Sequence, residues 1–281
     1  IAIYQLGTSF GALLVPVFAW SILNIGWRQT LIAVGISTIL IGVPLASAMK
    51  EKPEDLGLLP DGAQTGPNDK ESISTEQSES NANGGNESED IGVGQYLRGR
   101  NFWFLGLAHS AGITGWGALQ VHQIPALVDI GINELTAATI LSYTLVVSAA
   151  GRLLGGFLGD LIGTKKVCAI AFIFQALAIV ILAYASSSVH VMWFATIFGV
   201  AFGTRGTLMT VLRAEVFGRQ HFSRLAGLMD PLSGVSVVIS PIFAGLAYDS
   251  IGSYQGAFLI LAALNASGAL FLMGINLKSK T

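Results

Sequence analysis
The sequence predicts an all-α membrane protein of about eight spanning helices, and three observations carry the prediction. Hydrophobic residues make up 52% of the 281 residues and charged residues only 11%, where a soluble domain carries about 25% charged residues. At least six apolar runs reach the roughly 18–20 residues that cross a bilayer, too long for the buried helices of a soluble domain. When successive runs are placed on alternating sides, the basic residues collect on one of them. Lipid leaves backbone polar groups no partner outside the segment, so runs of this length are helices.

The first two helices are expected at about 2–24 and 30–49, with Gly26 between them and Pro53 and Pro60 blocking continuation of the second. The third, 102–128, follows Arg98 and Arg100 and contains Pro125, which is expected to disrupt its far end. The fourth, 135–161, closes at Asp160 and Gly163, and Lys165 and Lys166 stop it at a membrane face. The fifth and sixth are read at 167–185 and 189–212. The seventh, 225–248, carries Pro231, Gly234, Pro241 and Gly245, residues that suit bending or close packing. The eighth, 257–277, runs to Lys278.

This alternation puts Lys50, Lys52, Lys70, Arg98, Arg100, Lys165, Lys166, Arg213, Arg219, Arg224, Lys278 and Lys280 on one side, twelve of the fifteen basic residues. That side is expected to be cytoplasmic. Arg28 falls on the other side, and Arg152 and Arg205 fall within helices. The net charge of −2 hides a split: residues 51–90 hold eleven acids and two bases, and the remainder six acids and thirteen bases. Residues 63–93 are rich in Ser, Asn, Gly and Glu and read as a disordered linker. Three parts follow: 1–49, two helices; 50–98, a cytoplasmic linker; and 99–281, a six-helix unit. Pro-Val-Phe-Ala at 16–19 and Pro-Ile-Phe-Ala at 241–244 suggest two structural repeats, the first cut to its last two helices, so the chain reads as a fragment.

The stretch from Gly151 to Lys166 organises the rest. Gly151, Gly155 and Gly159 fall four apart on one helix face, a small-residue surface that lets two backbones touch in a bilayer. Arg152 stands eight residues before Asp160, about 12 Å up the helix. A charge at such depth costs roughly 2.5–3.5 kcal/mol or more.

The run Gly-Phe-Leu-Gly-Asp-Leu-Ile-Gly-Thr-Lys-Lys at 156–166 resembles the loop signature of the major facilitator superfamily of secondary transporters, in its second copy between the family's eighth and ninth helices. Gly156, Asp160, Gly163, Lys165 and Lys166 match, while Leu161 and Thr164 stand where a basic residue is common. Gly-Trp-Arg at 26–28 and the Pro-Glu-Asp-Leu-Gly-Leu-Leu-Pro-Asp-Gly exit also look like family features. The resemblance implies a major facilitator-type helical bundle truncated to family helices five to twelve. Val-His-Gln-Ile-Pro-Ala-Leu-Val-Asp-Ile-Gly-Ile at 121–132, followed by Gly-Arg-Leu-Leu-Gly, resembles the monocarboxylate and oxalate/formate branch. In that branch an arginine of this helix is implicated in holding a substrate carboxylate, and Arg152 falls on its position. Ser148 stands where some members have an aspartate, and a basic residue of the oxalate/formate members has no counterpart in 225–248.

Arg152 and Arg205 are the sharpest candidates for chemistry. No acid of the visible helices matches their depth, and a buried charge requires a partner. That partner is either a substrate carboxylate, which a guanidinium grips in a fork, or an acid of the absent helices, unless the side chain snorkels to an interface. Trp116, Gln120 and His122 in the third helix could line the path, His122 either as a proton carrier or as a hydrogen-bonding structural residue. Asp160 with Arg213 and Glu215 is expected to latch the cytoplasmic end, beside Gly156, Gly163, Lys165 and Lys166; ordinary interfacial charge is the alternative. Cys168 reads as packing, and His190 and His221 as loop residues. No phosphate-cradling loop and no metal-ligand spacing occur, so no cofactor and no enzyme activity are expected.

The expected function is secondary active transport by alternating access of a small organic anion such as a monocarboxylate, in a plasma membrane. The bilayer and the anionic solute are the partners, a proton is the possible coupling ion, and nucleic acid is not expected. An exporter of hydrophobic or cationic compounds would need a midplane acid. A transport-dead sensor would act through the acidic linker.

Overall fold
The computed structural model describes residues 11–48 and 97–275, and these residues form eight helices. The expected linker lies outside the described residues except for its last two positions. A 3₁₀ turn, Ala12–Leu14, leads into α1, Val15–Ile25. Gly26, with φ +97°, turns the chain into α2, Trp27–Ala48. This helix begins three residues earlier than predicted because the amide and hydroxyl of Thr30 both donate to the Gly26 carbonyl. Ser37 and Thr38 likewise return their hydroxyls to carbonyls one turn back, which satisfies them without water.

The chain divides into two compact units, residues 24–92 on one hand and 1–23 with 93–281 on the other. The larger unit contains most of α1 and six further helices. The first, α3, Arg100–Asp129, runs through Pro125 and ends four residues beyond it, so the proline does not break the helix. Its ring removes one donor, the partner of the Val121 carbonyl. The second, α4, Glu134–Ile162, starts where the Asn133 side chain accepts the Thr136 amide at 2.8 Å and stops at Gly163, φ +105°. Then α5, Thr164–Ala183, starts at once, so Lys165 and Lys166 lie in its first turn rather than in a loop. The next two are α6, Ser188–Gly218, and α7, Arg224–Ile251. Between them the backbone stays helical except at Gly218, φ 74° and ψ 163°, where a loop was expected. His190 and His221 are therefore helical positions rather than loop positions. Last, α8 is Gln255–Met273.

Six of these helices are long and apolar enough to cross a membrane: α2, α4, α5, α6, α7 and α8. At 30 residues α3 has the length, but its polar residues keep it out of that set. The described part of α1 has 11 residues.

Within the larger unit α6 packs against α4 through the glycine seam, against α5 through Arg205 and Gln175 and against α3 through Phe202 and Trp116, α7 packs on α3 at Gly106 and Gly117, and α8 packs on α5 and α3. In its most apolar stretch 61% of α6 is buried, against 17% for α7. One apolar cluster gathers Leu119, Leu127, Ile179, Phe194, Phe198 and Phe258; another gathers Leu105, Phe172, Leu208, Leu212 and Leu272, with Cys168 buried and free among them.

The glycine face of α4 makes the contact its spacing predicts. A Cβ at Gly151 would run into the Val200 backbone, one at Gly155 would lie 2.7 Å from Thr204 Cα, and one at Gly159 2.7 Å from Leu208 Cδ2. The reverse also holds: Gly203 of α6 lies against the Ser148 carbonyl and the Arg152 amide, and Gly199 against the Thr144 carbonyl. The Thr204 hydroxyl donates to the Gly151 carbonyl at 2.8 Å. The other face of α4 exposes Leu153, Phe157 and Leu161. Small residues inside and large apolar residues outside is the inverse of a soluble helix, and it fits a lipid surround.

Candidate functional site
Arg152 is half-buried on the flank of this seam. Because α4 and α6 touch backbone to backbone at Gly151, Gly155 and Gly203, the Cα of Arg152 is fixed in a rigid pair of helices rather than carried on a loop. Ten residues separate it from Ile162, about 15 Å of helix. Within α4 the acids are Glu134 in the first turn and Asp160 in the last.

Arg205 is enclosed, with 2% of its surface exposed. Its Nε donates to Gln175 Oε1 at 2.8 Å, and its guanidinium carbon lies 5.6 Å from the ring centres of both Phe172 and Phe202. Gln175 Nε2 and Asn265 Nδ2 both donate to the Gly112 carbonyl at 3.2 Å. This knot joins α3, α5, α6 and α8. It also explains Gly112: a Cβ there would lie 2.8 Å from Arg205 Nη1 and 2.6 Å from Phe172 Cε1. Nη1 of Arg205, Oδ1 of Asn265 and Nδ1 of the nearby His109 are buried without hydrogen-bond partners among the described residues. Arg205 and Arg152 thus differ in kind, one locked in the interior of the unit and the other on a flank. Gln175 and Asn265 did not emerge from the sequence reading. Their only signal is a single amide in each of two largely apolar runs, 170–180 and 260–270.

Trp116 stacks on Phe202 with ring centres 4.4 Å apart, and Phe202 stacks on Phe198 at 6.0 Å. Gln120 is exposed, whereas Gln123 is buried with both amide atoms unpartnered among the described residues. His122 is held at both ring nitrogens: Nε2 lies 2.9 Å from the Pro241 carbonyl and Nδ1 3.1 Å from the Tyr254 hydroxyl. A carbonyl only accepts, so Nε2 carries the proton and, in the neutral ring, Nδ1 accepts from Tyr254. This arrangement ties α3 to α7 and to the start of α8.

At the Gly163 end the charges pair differently from the grouping of Asp160, Arg213 and Glu215. Arg213 Nη1 meets Asp230 Oδ1 at 3.4 Å, across the Gly218 break. Glu215 accepts from the Thr164 hydroxyl at 3.1 Å. Asp160 and Lys166 are exposed. Lys165 Nζ reaches the carbonyls of Met273 and Ile275, at 3.2 and 2.7 Å. The break at Gly218 turns the chain back, and this brings Asp230, 17 positions on, within reach of Arg213. Gly156 has open space where a Cβ would stand, and Gly163 is held by its positive φ. No group of three or more metal-ligating side chains occurs among the described residues.

The fold and these positions define a helical membrane bundle with a glycine-welded helix pair and buried cationic groups. The profile of the Major Facilitator Superfamily matches residues 123–280, and the chain belongs to that superfamily. It is 26% identical over 159 residues to monocarboxylate transporter 12-B of Danio rerio, covering 55% of this chain and 33% of that protein. It is 22% identical over 288 residues to the hexuronate transporter of Escherichia coli K12, covering 96% of this chain and 62% of that protein. A solved bacterial homolog of the human lysosomal transporter Spinster, inward-facing and unoccupied, aligns with a TM-score of 0.47 and 17% identity over 95% of this chain and 62% of that one. The chain therefore spans about a third of the length of the monocarboxylate transporter that it matches.

Proposed function
We propose that this chain belongs to a secondary transporter of small organic anions, in which Arg152 holds the carboxylate of the solute. The observation that carries the proposal is a guanidinium set mid-helix on α4 beside a backbone-to-backbone seam. Such a support holds a binding group in one geometry, as a selective site requires. A guanidinium matches a carboxylate as a planar fork. The relatives named for monocarboxylates and for hexuronate share a carboxylate as their solute chemistry, which favours the same class here. Arg205 plays a different part: it pins α3, α5, α6 and α8 into one body, so that the unit moves as a whole against the other half during alternating access. Asp230 and Arg213 hold the Gly163 end in one state of that cycle and part in another. Residues 50–98 connect the two halves on the cytoplasmic side of the plasma membrane.

The test is uptake by the full-length protein in proteoliposomes with and without a pH gradient, over a panel of mono- and dicarboxylates and uncharged analogues. Arg152→Gln is expected to abolish carboxylate uptake while leaving insertion and thermal stability near those of the parent. Full carboxylate transport by this variant would remove the assignment.

A further inference from the structure
The end of the six-helix unit opposite Lys165 holds a second feature, separate from Arg152. A cavity of about 440 Å³ opens there, lined by Asp129, Tyr184, Tyr254 and Phe258 among others. Three helices terminate on it: the C-caps of α3, α5 and α7 are Ile130, Tyr184 and Gly252, and all three line the cavity. The last-turn carbonyls of a helix carry the negative end of its dipole. One helix points the other way, since α8 starts at the cavity. The lining contains a carboxylate and no Lys or Arg. Tyr254 stacks on Tyr248 at 4.3 Å and on Phe258 at 5.5 Å, and its hydroxyl is held by His122. Its phenol is pushed above the usual range, by burial first and then by Asp129, Tyr248 and Asp249.

We infer that this cavity is a binding site for an organic ammonium ion, with Asp129 and the converging helix C-termini facing the charge and the exposed Tyr184 offering its ring face. The electrostatics favour a cation from every side but one. The size favours an organic cation over a bare ion, since a space of 300–1,000 Å³ suits a small molecule and the described residues form no cluster of metal ligands. Aromatic rings around an alkylammonium add cation–π attraction. The site is independent of the carboxylate at Arg152, because it lies at the other end of α3 from the Arg213–Asp230 pair and shares no residue with the α4–α6 seam. It communicates with the interior through Tyr254 and His122, whose other bond holds the Pro241 carbonyl in α7.

The test uses the full-length protein in detergent with choline chloride as the probe and saturation-transfer NMR on the choline methyl signal, sodium chloride maintaining equal ionic strength throughout. Binding is expected with a dissociation constant on the order of 1 mM. Asp129→Asn should weaken it about fivefold, as loss of a partly exposed charge pair does, and Tyr184→Leu about threefold through lost ring contact. Both positions are exposed, so folding should survive either change and is checked by the thermal midpoint. The inference is overturned if choline does not saturate, if neither variant alters its affinity, or if sodium displaces it at equal concentration.

Discussion

The knot around Arg205 allows a quantitative prediction, because it buries a cation whose Nε bond goes to a neutral amide. Gln175→Leu removes the acceptor of that bond but leaves the Gly112 carbonyl with its second donor, Asn265. The loss is thus confined to the guanidinium. A hydrogen bond to a charged group contributes about 1.5–3 kcal/mol, and an orphaned buried charge costs the upper end of that range. Arg205→Met behaves otherwise. It forfeits the same bond but also removes the desolvation of a buried cation, which amounts to several kcal/mol in the interior. These two effects offset, so Arg205→Met is expected within about 1 kcal/mol of the parent. The double variant replaces both partners with apolar groups of similar size and should recover most of what Gln175→Leu lost. The coupling energy is then about 2 kcal/mol. For a unit of 150–250 residues, each kcal/mol moves the midpoint by about 2–4 °C. Gln175→Leu should therefore lower it by roughly 6–12 °C, with Arg205→Met and the double variant near the parent. Thermal unfolding of the purified full-length protein in detergent measures all four corners of the cycle. Additivity within about 0.5 kcal/mol would refute the reasoning, because it would mean that the two side chains do not depend on each other.

Other perturbations follow from single contacts. Gly203→Val drives a branched side chain into the Ser148 carbonyl and the Arg152 amide and should cost at least the 1–3 kcal/mol typical of overpacking, read as a lower thermal midpoint; the equivalent change at Gly156, which has open space, should be close to neutral. His122→Phe leaves the Tyr254 hydroxyl without its partner, and a loss of about 1–2 kcal/mol is expected, with partial recovery in His122→Gln. Lys165→Met releases the Met273 and Ile275 carbonyls, so amides in the last turn of α8 should exchange with deuterium about fivefold faster or more, as for loss of about 1 kcal/mol at a helix C-terminus. Asp230→Asn breaks a pair whose acid is 63% exposed, so its stability effect should stay below about 1 kcal/mol, and any large change in transport rate would point to the conformational cycle rather than to folding.

Much of the fold was legible in the letters. The eight expected helices all have a counterpart among the described residues, because lipid leaves the backbone no other partner than itself. The glycine register of 151, 155 and 159 announced a close helix contact, although the sequence could not say that α6 is the partner or that Gly199 and Gly203 complete it. Element ends were less readable. Lys165 and Lys166 read as a stop, yet they begin α5, since one glycine with positive φ is enough to turn the chain. The stretch after Arg213 read as a loop because it is polar, yet it stays helical up to and beyond Gly218.

The site divides along the same line. Composition and periodicity alone determined that this is a membrane bundle and that Arg152 and Arg205 sit deep within helices, because a residue's place along an apolar run is fixed by the sequence alone. The tertiary structure decided what each arginine meets. Gln175, Asn265 and Gly112 lie 30, 60 and 93 positions from Arg205 in sequence, and only the packing of four helices brings them to it. Partner choice across helices depends on rotation and depth of each one, fixed by where small residues let backbones approach, and no local pattern of residues encodes that.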